Sequence, residues 1–118
     1  MAPAVAKICG LWLEQSQHDP EWLVWVSHQW CQVFVVLTLC RMLYSIATGD
    51  VASKPVAAQW ARNNLNQRWQ SLIASSLAKK EDQNEIDLGE LAETIAFIQY
   101  AFDQSQVENK LAQEADQF

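Results

Sequence analysis

The sequence predicts an all-α bundle of about five helices around a central, nearly all-apolar helix. Three observations carry that prediction. Only three Gly and three Pro interrupt 118 residues, half of them apolar, so the chain has few turns. Ala, Gln and Leu are the commonest residues, a composition that favours long helices over many short strands. Apolar residues also recur at helical rather than alternating spacing along most of the chain. A chain of this length buries roughly two thirds of its unfolded surface, enough to fold as one domain without disulfides or metals.

Residues 4–15 carry Val5, Ile8, Leu11 and Trp12 at the spacing of a short amphipathic helix. Asp19-Pro20 marks a boundary, because the residue before a proline avoids the helical region. Asp19 then suits the N-cap of the next helix, with Pro20 at its first position and Glu21 beside its positive end. From Pro20 to Thr48 apolar residues fall on nearly every face. Val33, Val35 and Val36 admit a strand locally, but the stretch is too long for one, so a helix is predicted with a break allowed near Ser27 to Gln29. A helix apolar all round belongs at the centre of a bundle, and Gly49 supplies a left-handed residue to end it.

After the loop Asp50 to Ser53, Pro55 restricts Lys54, which predicts Lys54 as N-cap and Pro55 as the first helical residue. Val56, Ala57, Trp60, Ala61 and Leu65 mark one face of that helix, and Asn63-Asn64 suits a break. Trp69, Leu72, Ile73, Ser76 and Leu77 define a further amphipathic helix ending in Lys79-Lys80. Beyond a charged loop, Asp87-Leu88-Gly89-Glu90 has capping-box spacing, and Leu91, Ile95, Ile98 and Phe102 follow at helical intervals. One domain is expected over 1–103, with 104–118 as a solvated or frayed tail.

A formal charge of −6 with scattered cations speaks against nucleic acid, which needs clustered Lys and Arg. Three cysteines without C-x-x-C spacing speak against a disulfide framework or zinc site, and a reducing cytoplasm is the expected location. Trp22 to Cys40 lacks Asp, Glu, Lys and Arg, but polar residues interrupt it and no basic cluster follows. A core helix is expected there rather than a membrane span.

Arg41 and Lys54 are the residues that could carry function. Arg41 lies in the most apolar part of the chain and cannot lose its proton, so it needs an anionic partner or a route to water. An internal ion pair with Glu90 or Glu93 would serve. So would a role beside Lys54 at a helix start, where the two cations would clamp a polyphosphate; as a bland alternative, Lys54 is an exposed surface lysine. Among six tryptophans, Trp60 and Trp69 are expected in the core, while Trp12, Trp22, Trp25 and Trp30 divide between core and contact surface. His18 and His28 have no partners at ligand or triad spacing.

Val35 to Trp60, with L-T-L-x-R ending at Arg41, T-G at Thr48-Gly49 and A-A-x-W ending at Trp60, closely resembles the C-terminal helical domain of aminoglycoside adenylyltransferases acting on streptomycin and spectinomycin. The likeness extends more loosely through Leu65, Trp69 and Ile73 to about Lys80, and faintly into Leu88 to Phe102. It implies a domain that packs on an N-terminal nucleotidyltransferase domain, with ATP, magnesium and drug between them and AMP passed to a drug hydroxyl, a reaction that confers antibiotic resistance. It places Arg41 and Lys54 on the ATP phosphates. The family's acidic drug-facing residue falls here at Cys31 and its late aromatic nucleotide contact near Lys80, so Asp19 and Trp22, with Glu21 and Trp12, are the expected replacements on the drug side, given a shift of register before the central helix.

The family's catalytic half carries a Gly-Ser motif and paired aspartates; this chain has neither a Gly-Ser pair nor D-x-D, so no catalytic or metal-binding residue is expected in it. The expected function is the nucleotide- and substrate-binding helical half of an aminoglycoside O-adenylyltransferase-like protein, inactive alone. The alternative is a non-catalytic helical module that docks on such a protein and regulates it.

Overall fold

The computed structural model describes residues 2–78 and 86–116, with side chains over 3–78 and 86–107. It contains α1 (Ala2–His18), α2 (Pro20–Ser27), α3 (Gln29–Thr48), α4 (Lys54–Asn64), a 3₁₀ turn at Gln67–Trp69, α5 (Gln70–Ala78) and α6 (Leu88–Asp116). The all-α class stands, with six helices because the stretch from Pro20 to Thr48 divides at His28.

That break has an identifiable cause. His28 takes an extended conformation, φ −73° and ψ 132°. The Ser27 carbonyl, which a continuous helix would direct to the next turn, instead accepts the backbone N–H of Ile86 at 2.8 Å. The Ser27 hydroxyl turns back onto the Val24 carbonyl at 2.7 Å, a local bond that competes with helix continuation.

The other boundaries follow from caps. α1 runs on past residue 15 until Pro20 stops it, with Asp19 N–H bonded to the Gln15 carbonyl at 2.9 Å. Asp19 caps α2 as its sequence suggests, its Oδ1 accepting from Glu21 N at 3.0 Å and Trp22 N at 3.3 Å. Gly49, at φ 74°, ends α3. The start of α4 corrects the expectation: Ser53, not Lys54, is the N-cap, because a serine hydroxyl can accept the Val56 N–H at 3.4 Å and a lysine side chain cannot. Asp87 Oδ1 caps α6 by accepting Glu90 N–H at 2.7 Å. The α6 backbone stays helical through Asp116, and Ser105 is buried, its hydroxyl on the Phe102 carbonyl at 2.6 Å.

α3 occupies the centre, packed against α2, α4, α5 and α6. Val35, Val36, Leu39, Cys40 and Leu43 form its buried side. By length and composition this helix could cross a membrane, yet its apolar side is buried against its neighbours here. α1 lies along α6, with Val5 and Cys9 buried on one helix and Ile98 and Ala101 on the other. At the far side of the core Trp69 packs on Phe97 and Tyr100, with ring centroids at 5.0 and 5.4 Å. One polar pair crosses the core: Gln32 Nε2 donates to Thr94 Oγ1 at 3.1 Å, and Thr94 in turn donates to the Glu90 carbonyl at 2.8 Å.

Candidate functional site

Residues 30, 34, 38, 41 and 45 fall on one side of α3, spaced by three or four. The turn at Gly49 folds residues 50–54 back toward that side and brings Lys54 to the helix that carries Arg41. Arg41 is exposed, and its Nε donates to the Ala52 carbonyl at 3.1 Å. Lys54 Nζ lies 4.9 Å from the centre of the Phe34 ring, a cation–π contact. Phe34 and Arg41 are two helical turns apart, about 10 Å along the axis, so the cations are attached to one surface at neighbouring points.

Arg41 is therefore not sunk in the core. It bonds neither Glu90 nor Glu93, and Glu93 instead meets Arg68 at 3.5 Å. Among the described residues only Nε is engaged, so the terminal nitrogens of the exposed guanidinium have no partner there, and a guanidinium fork can take an anion with two parallel hydrogen bonds. Thr38, Arg41, Met42, Ser45 and Val51 line a cavity of about 220 Å³ beside it.

The backbone at the start of α4 contributes less to an anion site than its sequence suggests. Pro55 has no N–H and the Ser53 hydroxyl holds the Val56 N–H, so the positive character comes from the Lys54 side chain more than from free amides.

Asp19 uses one carboxylate oxygen as the α2 cap. Trp22 is only 7 % exposed, and its indole Nε1 is a buried donor with no hydrogen-bond partner among the described residues. Cys31 is buried, with its thiol pKa raised by desolvation, so no acidic group occupies that position. Lys80 lies outside the described residues. Two partners escaped sequence reasoning: Phe34, whose only signal was its place two turns before Arg41, and the Ala52 carbonyl, which has no sequence signature.

The family model for the aminoglycoside adenylyltransferase C-terminal domain matches residues 12–104, a span that includes Asp19, Trp22, Phe34, Arg41 and Lys54. The chain belongs to this family. An aminoglycoside (3'')(9) adenylyltransferase of Rhizobium radiobacter is 40% identical over 68 residues, covering 54% of this chain and 25% of the relative. One from Escherichia coli is 37% identical over 68 residues, 54% of this chain and 26% of the relative. One from Klebsiella pneumoniae is 51% identical over 39 residues, 33% of this chain and 15% of the relative. The chain thus spans about a quarter of the length of the first two adenylyltransferases it matches. No solved structure matches it.

Proposed function

We propose that the chain is the nucleotide- and substrate-facing helical half of an aminoglycoside O-adenylyltransferase, working with a nucleotidyltransferase domain to pass AMP from ATP to a drug hydroxyl. The observation that carries this reading is the pair of cations on one side of α3, neither bonded to a carboxylate among the described residues, inside the segment that matches the family. Arg41 would grip phosphate oxygens with its open fork, and Lys54 would add a point charge a short distance along the same surface. Together they would bind the triphosphate and offset charge on it as AMP departs.

The two cations suit the phosphates of ATP by charge, and among the described residues there is no group of three or more His, Cys, Asp or Glu side chains placed to hold a metal ion. The metal ligands and general base are assigned to the nucleotidyltransferase domain. On the drug side, the second Asp19 oxygen offers an acceptor to a drug amine, while Trp22, whose Nε1 is buried, would support that side by packing beneath it.

The test combines this chain with the N-terminal portion of the Rhizobium radiobacter adenylyltransferase that it does not match, and follows transfer of labelled AMP from ATP to streptomycin. The pair should transfer AMP while each half alone does not, and Arg41→Ala should lower transfer on the order of tenfold to a hundredfold. Transfer indifferent to Arg41→Ala and Lys54→Ala, or a docked pair that never binds ATP, would contradict the reading.

A further inference from the structure

Toward its N-terminal end, the side of α3 that carries Arg41 continues into an aromatic patch. Val24, Trp25, Trp30 and Phe34 are 62%, 37%, 61% and 39% exposed. Trp25 and Phe34 meet edge to face at 6.3 Å, which joins α2 and α3 into one surface, and Trp30 lies one turn before Phe34. Two exposed tryptophans beside a phenylalanine and a valine form the kind of contiguous apolar surface that marks an interaction site. Tryptophan also supplies a large share of binding energy where interfaces are measured.

Two observations identify the occupant. The relatives carry about three quarters of their length outside the share this chain matches, and that share is a C-terminal domain, so a large further body belongs beside this one. The patch also runs directly into Lys54 through the cation–π contact on Phe34, and on to Arg41. Two copies meeting symmetrically on this face would bring those like charges together, which disfavours self-association. We infer that Val24, Trp25, Trp30 and Phe34 form the surface on which the nucleotidyltransferase domain docks, so that the phosphate-binding cations lie at the edge of the contact. The inference rests on the reading of the chain as the helical half of an adenylyltransferase. Docking itself is apolar and needs no nucleotide.

The test is calorimetric titration of this chain with the N-terminal portion of the Rhizobium radiobacter enzyme, without ATP. Val24→Glu and Trp30→Glu replace the two most exposed members of the patch, and circular dichroism verifies that each variant folds. Both should weaken docking at least about tenfold. Leu11→Glu, at an exposed apolar residue on α1, should leave docking within about twofold. Docking that survives both patch substitutions overturns the inference, as does its absence in the unaltered chain. Self-association of the chain alone that Trp30→Glu abolishes would assign the patch to a second copy and overturn it too. If docking depends on the patch but the pair neither binds ATP nor transfers AMP, the surface stands and the catalytic reading fails.

Discussion

Arg41 owes its availability to one backbone carbonyl. By holding Nε, the Ala52 carbonyl ties the side chain to the α3–α4 turn and leaves the terminal nitrogens unengaged among the described residues. Arg41→Lys keeps the charge but loses the planar fork, so it should cost on the order of tenfold in ATP affinity of the assembled enzyme, measured by titration, with little change in thermal stability. The cysteines behave oppositely. Burial pushes the Cys40 thiol up to about 12 and Cys9 to about 11, so neither is a nucleophile at neutral pH. Because the folded values are raised, the stability these thiols contribute is fully present below about pH 9. It is lost as pH rises through about 11 to 12, since the unfolded chain releases its protons first. Denaturant midpoints should therefore fall above about pH 9, and Cys40→Ala should show a shallower fall. At this scale sequence revealed which residues were charged in apolar surroundings, but not that Arg41 reaches water. Its outward path depends on the course of residues 50–54, which no residue at position 41 encodes.

The helices end where their capping residues allow. Gly49 sits at φ 74° with nothing within 4 Å of where a Cβ would stand, so Gly49→Ala carries a conformational cost alone, about 1 kcal/mol. Because that turn delivers Ala52 and Lys54 to α3, the same variant should also weaken nucleotide binding, while Asp19→Ala, a loss of about 1 kcal/mol at the α2 cap, should leave it unchanged; chemical unfolding and ATP titration separate the two. Asp19, Gly49 and Asp87 were legible as caps because each acts on residues next to it. The Lys54 cap was misassigned because Pro55 biases its predecessor without deciding between two adjacent candidates, and the hydroxyl of Ser53 decided it. The split at His28 could be placed but not explained from sequence, since the Ile86 N–H that captures the Ser27 carbonyl comes from a distant part of the chain.

The molecule as a whole is a central helix wrapped by its neighbours, and its far side is anchored by Trp69, Phe97 and Tyr100. Phe97 is fully buried, so Phe97→Ala should cost about 3–5 kcal/mol in chemical unfolding while sparing the Arg41 surface in the folded fraction. The class and the centrality of α3 were readable from a helix apolar on nearly every face. What periodicity could not divide was tryptophan between core and surface: Trp22 is buried and Trp30 exposed although both lie in one apolar run, because the break at His28 turns the register between them. The central claim, that Arg41 of α3 and Lys54 at the start of α4 bind a triphosphate together, has a direct measurement: the dissociation constant of ATP for the chain assembled with a nucleotidyltransferase domain, unaltered and as the double variant Arg41→Ala, Lys54→Ala. The account predicts binding weakened on the order of a hundredfold at concentrations that keep the two domains docked. Equal affinity in the two proteins would contradict it.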